Sequence, residues 1–147
     1  MTLEIKDFFG YPVKLKPRVE LYAVSDFMGK EMSGLAIVLD EIRDSPDEET
    51  EEYAVLTKSF GEFISLKNSA YIDTNNCPFA DQLLDQGIAK DTGLSRQSGF
   101  CRYPLWVFKE EFLKEIGGEN YERYLREYEE YMKPFEDENP EMTMEEM

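Results

Sequence analysis

A six-residue apolar run, Gly34–Leu39, constrains the fold of this chain more than any other stretch. A strand with one exposed face alternates apolar and polar residues, whereas a continuous apolar run is typical of a strand that is buried on both faces. The run therefore predicts the central strand of a sheet. Acidic residues follow from Asp40 to Glu52, and strand-like residues resume at Tyr53–Thr57. We expect the two apolar segments to form a hairpin with a long acidic tip.

Weaker strand patterns lie on both sides of this hairpin. Residues 3–5 and 13–15 alternate apolar and polar positions, but Pro12 and Pro17 favour edge strands there, because proline cannot donate to a ladder. The further predicted strands are residues 18–24, 60–66 and 100–108, the last broken or bulged at Pro104. Residues 90–99 are polar and are predicted to form a loop.

The central segment predicts a strand, a polar turn and a short helix. Ala70–Ile72 is strand-like, and the side chains of Asp73–Asn76 favour turns because they bond nearby backbone groups. Pro78 suits a first helical position, and Gly87 suits a left-handed helix end. Two further helices are predicted, at residues 109–116 ending at Gly117-Gly118, and at residues 121–133 capped by Asn120 and ended by Pro134.

Strands that come mostly first and helices that come later favour an α+β fold. We predict a mostly antiparallel sheet of four to six strands, with the short middle helix and two C-terminal helices packed on one side. Residues 1–133 are predicted to form a single globular domain and residues 134–147 an acidic, disordered tail. The sequence shows neither an apolar run of ~20 residues nor a signal peptide pattern, so we expect a cytoplasmic protein without membrane contact.

The net charge of −16 argues against direct binding to nucleic acid, since like charges repel along the phosphate backbone. The eight acidic residues and one arginine of residues 40–52 give −7, and the six acidic residues of 134–147 give −6, which leaves −3 for the rest. This segregation argues against DNA mimicry, which needs an extended phosphate-like face. It favours a basic protein partner, and the predicted partner-binding residues on the loop are Glu48, Glu49, Glu51 and Glu52.

The chain contains no histidine, which excludes Ser-His-Asp and Cys-His catalysis and disfavours most transition-metal sites. We therefore expect no catalytic residue, no metal and no cofactor. Cys77 and Cys101 are best interpreted as inert thiols, because only a helix N-terminus near Cys77 offers a way to lower a thiol pKa. A non-enzymatic protein is the favoured interpretation.

A polar pocket is the basis of the alternative function. Residues 92–99 contain hydroxyls, an arginine and two glycines, which are the ingredients of an anion site, although no P-loop pattern is present. The turn after the central strand offers a carboxylate and amides near a helix N-terminus, where ligands often bind. A capped turn and an ordinary loop explain the same residues. If the two segments meet, a small anion or nucleotide binder or a small enzyme would use Asp73, Asn75, Asn76, Arg96 and Arg102.

Aromatic side chains form a stripe on the last predicted helix. Packing against the sheet is the first interpretation, and a partner surface is the second, because tyrosine and methionine are favoured at interfaces. The stripe consists of Tyr121, Tyr124, Leu125, Tyr128, Tyr131 and Met132, of which Tyr124, Tyr128 and Tyr131 are candidate partner-binding residues.

Two motifs carry a family resemblance. Residues 73–80 read Asp-Thr-Asn-Asn-Cys-Pro-Phe-Ala, and after Thr92-Gly93 residues 98–105 read Ser-Gly-Phe-Cys-Arg-Tyr-Pro-Leu. Over Tyr53–Phe108 the chain resembles a domain-of-unknown-function family of small acidic bacterial proteins found on conjugative elements of gut bacteria. The resemblance implies a bacterial cytoplasmic protein of mobile-element type and implies no catalytic residue. Together with the charge, it predicts an acidic protein-interaction module that binds a basic protein.

Overall fold

The computed structural model describes residues 1–43 and 50–137, which form two antiparallel sheets and two helices. The predicted α+β class is confirmed, and the described strands divide into two sheets of four. The first sheet has the order β1 (Leu3–Lys6), β2 (Pro12–Ser25), β3 (Glu31–Ile42) and β4 (Thr50–Val55). The second contains β5 (Thr57–Lys58), β6 (Ser69–Ile72), β7 (Ala89–Ser98) and β8 (Cys101–Phe108), in the order β5-β6-β8-β7. The helices are α1 (Ala80–Asp85) and α2 (Glu110–Asp137).

Strand β3 has the central position that its composition predicts. All five residues of Leu35–Leu39 are buried, and β3 pairs with β2 on one side and β4 on the other. The predicted hairpin with the segment after Tyr53 is also confirmed, with Leu39 opposite Ala54. Its strands extend into the acidic stretch as far as the Ile42–Thr50 pair, so the loop is shorter than predicted. Residues 44–49 lie outside the described part of the chain.

The edge-strand prediction around Pro12 and Pro17 is wrong, because β2 lies between β1 and β3. Pro12 is the first residue of β2, where a missing N–H is tolerated. Pro17 lies beyond Leu15, the position opposite the start of β1. It therefore has β3 as its neighbouring strand, and an internal strand accommodates a proline where its second partner has ended.

One prediction about the second sheet is confirmed in part and another is wrong. Strand β8 is not broken at Pro104, because the pairing of β6 ends at Leu105 and leaves β7 as the neighbour there. The β7–β8 register does shift between Asp91 and Ser95, and Ser95 is the residue opposite Pro104. Residues 90–98 belong to β7 and not to a loop, and Gly99 lies in the turn that follows. They form the outermost strand of their sheet and are mostly exposed, so their polar composition reflects solvent rather than the absence of pairing.

The predicted strand at residues 60–66 is absent from the described structure, where Glu62 forms a single bridge with Ser25. The start of α1 is also later than predicted, since Pro78 precedes a helix that begins at Ala80. Its end is confirmed: Gly87 has φ 83° and donates its N–H to the Leu84 carbonyl at 3.0 Å.

Helix α2 contains the predicted break at Gly118, whose φ and ψ are 52° and −142°. The prediction that Pro134 ends the helix is wrong, because α2 continues to Asp137. A proline this close to the helix end removes one of the last backbone bonds only. Asn120 does not cap the second half, since its Nδ2 donates to the Val19 carbonyl at 2.9 Å and attaches α2 to β2.

A cluster of buried apolar side chains joins both sheets and both helices. The chain passes between the sheets at Leu56, whose N–H donates to Ile37 and whose carbonyl accepts the Asp73 N–H. This connection places the turn after β6 beside the end of β4. The most deeply buried members of the cluster include Leu15, Ile37, Leu39, Ile72, Leu83, Trp106, Phe108 and Leu113.

Gln82 of α1 and Gln86, the residue that ends this helix, cover the free edge of β1. Gln82 accepts the Lys6 N–H at 2.7 Å through Oε1 and donates to the Lys6 carbonyl at 3.0 Å through Nε2. Gln86 forms the same pair of bonds with Glu4, at 3.4 and 2.7 Å. The two glutamines are four residues apart and therefore lie on the same side of the helical turn. Their amides bond the backbone groups of β1 that a neighbouring strand would otherwise bond, which protects this edge from pairing with another chain.

Candidate functional site

The carboxylate of Asp73 is used within its own turn. It is 9% exposed and accepts two hydrogen bonds from Asn76, from the backbone N–H at 3.2 Å and from Nδ2 at 2.9 Å. The Asp73 carbonyl accepts the Cys77 N–H at 2.8 Å. Asn75 is exposed. These contacts close the turn between β6 and α1, whose N-cap residue Phe79 has no side-chain cap hydrogen bond.

The two arginines of the predicted pocket lie on opposite faces of the second sheet. Arg96 is opposite Tyr103 in the β7–β8 ladder, and Arg102 is one residue away on β8, where side chains alternate between faces. The Arg96 guanidinium pairs with Glu62 and lies 4.3 Å from the Phe60 ring centroid. Thr74 Oγ1 donates to the Arg102 carbonyl at 3.4 Å. The two motifs therefore meet through backbone, and their arginine side chains do not converge.

The thiol of Cys77 is buried and donates to the Val55 carbonyl at 3.4 Å. Burial raises the pKa of this thiol to about 11, and the nearby charge of Asp73 contributes in the same direction. The thiol therefore stays protonated at neutral pH and lacks the thiolate that nucleophilic catalysis requires. Cys101 is partly exposed and also free. Among the described residues, no three ligating side chains cluster as a metal site would require.

The tyrosine stripe of α2 packs on the segment between β5 and β6. The Tyr124 hydroxyl accepts the Asn68 N–H at 2.9 Å, and the Tyr121 hydroxyl donates to Asn68 Oδ1 at 2.9 Å. Asn68 is buried with φ 65°, and this pair of bonds holds it there. The Tyr128 hydroxyl donates to the Ser65 carbonyl, and that of Tyr131 donates to Asp26 Oδ2 at 2.8 Å. These contacts favour the packing interpretation of the stripe.

The described part of the acidic hairpin carries its carboxylates on strands. Glu51 pairs with Arg43 at 2.6 Å, and Glu52 lies 3.7 Å from Arg18. Both glutamates are exposed, and exposed ion pairs of this kind are weak. Arg18 is bound more closely to Asp40, with Nε at 2.8 Å from Oδ2. The predicted contacts Glu48 and Glu49 lie outside the described residues.

The structure also contains an aromatic groove of about 450 Å³ that the sequence did not predict. The Tyr53 and Phe79 ring centroids are 5.7 Å apart, and Phe8 stands at the rim with 95% of its surface exposed. One sequence signal was present: Phe8-Phe9-Gly10-Tyr11 places three aromatic residues in a turn, where polar residues are usual. We use the name aromatic groove for the surface lined by Lys6, Asp7, Phe8, Tyr53, Ala54, Asn76, Pro78, Phe79 and Gln82.

Negative charge lies next to the rings of this groove. Asp7 Oδ1 accepts the N–H groups of Phe9 and Tyr11, each at 2.9 Å, which fixes the turn that presents Phe8. Burial raises the pKa of the Tyr53 phenol, and the charges of Asp7 and Glu41 raise it further. Asp7 lines the groove together with Tyr53, and Glu41 is opposite Glu51, two residues before Tyr53 on β4.

A family model described as a domain of unknown function, DUF4313, matches residues 23–128. The chain belongs to this family. The match includes the motif region 53–108 and confirms the predicted membership in a family of unknown function. It also includes Tyr53, Pro78 and Phe79 of the aromatic groove, whereas Phe8 lies before it. No curated protein and no solved structure matches the chain. Within the described residues, no helix is long and apolar enough to cross a membrane.

Proposed function

We propose that this DUF4313 protein is a non-enzymatic, acidic protein-interaction module of bacterial mobile-element type, and that it binds a basic protein partner in the cytoplasm. One observation carries the proposal: exposed carboxylates of the β3–β4 hairpin stand on paired strands. Glu51 is opposite Glu41, and Glu52 is opposite Asp40, in a ladder whose other end is the buried centre of the first sheet.

Placement on strands favours binding because the backbone of these carboxylates is already ordered. An array on a disordered loop loses chain entropy when a partner orders it, and that cost reduces affinity. The cations that contact the array, Arg18 and Arg43, form exposed pairs with Glu52 and Glu51 that a partner's lysine or arginine can replace. Complementary charge also increases the rate of encounter.

The alternative of a polar ligand pocket receives less support. Asp73 is bonded to Asn76, Arg96 is paired with Glu62, and Arg102 points to the other face of the sheet. The stripe tyrosines Tyr124, Tyr128 and Tyr131 are less suited to partner binding than the hairpin, because their hydroxyls are bonded within the protein.

The test compares two variants with the same change in charge. The hairpin variant replaces Glu48, Glu49, Glu51 and Glu52 by glutamine, and the helix control variant replaces four exposed glutamates of α2, Glu111, Glu119, Glu122 and Glu130. Tagged full-length protein is used to capture partners from a bacterial lysate. The captured protein is then purified, and its Kd is measured at low and moderate salt.

We expect a basic partner whose Kd for the hairpin variant is weaker by roughly tenfold or more, because exposed charge pairs contribute about 0.2–1 kcal/mol each and about 1.4 kcal/mol is tenfold. The salt dependence should fall with it. The helix control variant should bind like the wild type. The proposal is contradicted if the two variants bind the partner with the same Kd, or if the Kd of the partner does not change with salt concentration.

A further inference from the structure

We propose that the aromatic groove is the docking site for a basic segment of the partner, with an arginine or lysine side chain against the rings of Phe8, Tyr53 and Phe79. This inference rests on the proposed function, because the same partner would also contact the hairpin. It adds a second and chemically different surface, whose contribution can be measured separately.

The rings of Phe8 and Tyr53 are exposed on ordered backbone. Phe8 and Phe9 form an edge-to-face pair with centroids 5.3 Å apart, in a turn that Asp7 holds through two hydrogen bonds. Tyr53 and Phe79, which line the same groove, have ring centroids 5.7 Å apart. Contiguous exposed apolar surface of this kind is unusual in a monomeric soluble protein and marks interaction sites. The backbone that presents Phe8 is therefore ordered before a partner binds.

The charges around the groove select a cationic occupant. A lysine or arginine over an aromatic ring is attracted by the negative face of the ring, and a nearby carboxylate adds to the attraction. Lys6 and Asp7 of the lining balance each other. The facing carboxylates Glu41 and Glu51, two residues before Tyr53 in the β3–β4 ladder, add negative charge at the Tyr53 end of the groove. An acidic segment is repelled here, and a neutral apolar one gains nothing from the carboxylates.

The groove is continuous with the acidic hairpin, which indicates that one segment can occupy both. Glu51 lies two residues before Tyr53 on β4, and Glu41 faces Glu51 in the same hairpin. A basic segment that places one side chain at Tyr53 thus has further carboxylates next to it along the strand. This continuity argues for a partner segment rather than a small cation.

The test uses a defined probe and two exposed phenylalanines. The probe is a fluorescein-labelled twelve-residue peptide in which arginine and leucine alternate with glycine and serine, and the matched peptide carries citrulline, the neutral isostere, in place of arginine. The groove variant carries Phe8→Ser together with Tyr53→Ser. The single variant Phe8→Ser is measured as well, in case the double substitution impairs folding. The control is Phe27→Ser. Phe27 is 93% exposed in the β2–β3 turn, about 40 Å from the β1–β2 turn at roughly 3.3 Å per residue of β2.

Fluorescence anisotropy should show binding of the arginine peptide by the wild type and the Phe27→Ser variant alike. We expect a loss of roughly tenfold for the groove variant, as for two exposed cation–π contacts, and a smaller loss for Phe8→Ser alone. Equal binding of the citrulline peptide, or no binding of the arginine peptide by the wild type, overturns the inference.

The hairpin variant, measured with the same peptide, separates this inference from the proposed function. If the hairpin variant binds the peptide more weakly and the groove variant binds it like the wild type, the groove is not the docking site. The proposed function of the hairpin is then still supported. If the groove variant binds the peptide more weakly and the hairpin variant binds it like the wild type, the groove is supported as the docking site. The proposed role of the hairpin carboxylates is then contradicted. Two other occupants are also tested. Binding to phosphatidylcholine vesicles that Phe8→Ser abolishes, or a concentration-dependent dimer that Phe8→Ser weakens in sedimentation, overturns the inference in favour of a membrane or a second copy.

Discussion

The tyrosine stripe of α2 and the aromatic groove are both rich in rings, yet the protein uses them in opposite ways. Tyr124 is 3% exposed and its hydroxyl is bonded to Asn68, whereas Phe8 is 95% exposed and projects from a turn. In the stripe, the segment between β5 and β6 supplies a hydrogen-bond partner for the hydroxyls of Tyr121, Tyr124 and Tyr128, and Asp26 of the β2–β3 turn supplies one for Tyr131. Aromatic composition alone therefore does not distinguish a core from a binding surface, whereas what covers the rings does.

The largest expected difference between the two regions is in the free energy of unfolding. Tyr124→Ala should destabilise the protein by about 3–5 kcal/mol, the range for truncating a buried aromatic ring. Tyr11→Ala, in the turn beside the groove and 68% exposed, should change stability by less than about 0.5 kcal/mol. Urea unfolding followed by circular dichroism measures both. If the free energy of unfolding decreases by a similar amount in the two variants, the distinction between a buried stripe and an exposed groove is contradicted.

The second largest difference in the free energy of unfolding should come from the tyrosine hydroxyls. Tyr124→Phe keeps the ring but leaves the buried Asn68 N–H without an acceptor, which should cost about 1–3 kcal/mol. Tyr53→Phe serves as the matched change in the groove, where the phenol is partly exposed, and should be nearly neutral. The same urea experiment compares them. A neutral Tyr124→Phe would mean that the hydrogen bond does not stabilise the stripe.

The pH dependence should follow the buried phenol. Burial raises the pKa of Tyr124, so the folded protein keeps this group protonated at a pH where the unfolded chain, with a pKa of about 10, ionises. The unfolded state then binds fewer protons, so this contribution is complete below about pH 9 and is lost as pH rises above about 10. The stability difference between wild type and Tyr124→Phe should therefore shrink from pH 8 to pH 11. A constant difference across that range would contradict the assignment.

The smallest effects are expected at the exposed phenylalanines. Phe8→Ser and Phe27→Ser should each change the free energy of unfolding by less than about 0.5 kcal/mol, because their rings are almost fully exposed. Thermal unfolding of the two variants beside the wild type checks this. A loss above about 1 kcal/mol for Phe8→Ser alone would show that its ring packs in solution, and the groove would then belong to the core.

Several elements were predictable because one local cause dominates each of them. The run Leu35–Leu39 required a strand covered on both faces, and Gly87 and Gly118 marked positions with positive φ where a helix ends or bends. Strand β7 was not predictable, because an outermost strand that is mostly exposed lacks the apolar alternation on which the prediction depends. The edge-strand prediction at Pro17 was wrong for a related reason. Only the register shows that β1, whose first residue Leu3 pairs with Leu15, does not extend to the position opposite Pro17.

The sequence by itself determined the α+β class, the central strand, the hairpin beside it and membership in the DUF4313 family. The tertiary structure decided how the side chains are used. Arg96 and Arg102 share a pattern in the chain but stand on opposite faces, while Phe8, Tyr53 and Phe79 are far apart in the chain but line one groove. The physical reason is that periodicity assigns a residue to a face of its own element, whereas the register and packing of distant elements determine what lies opposite that face.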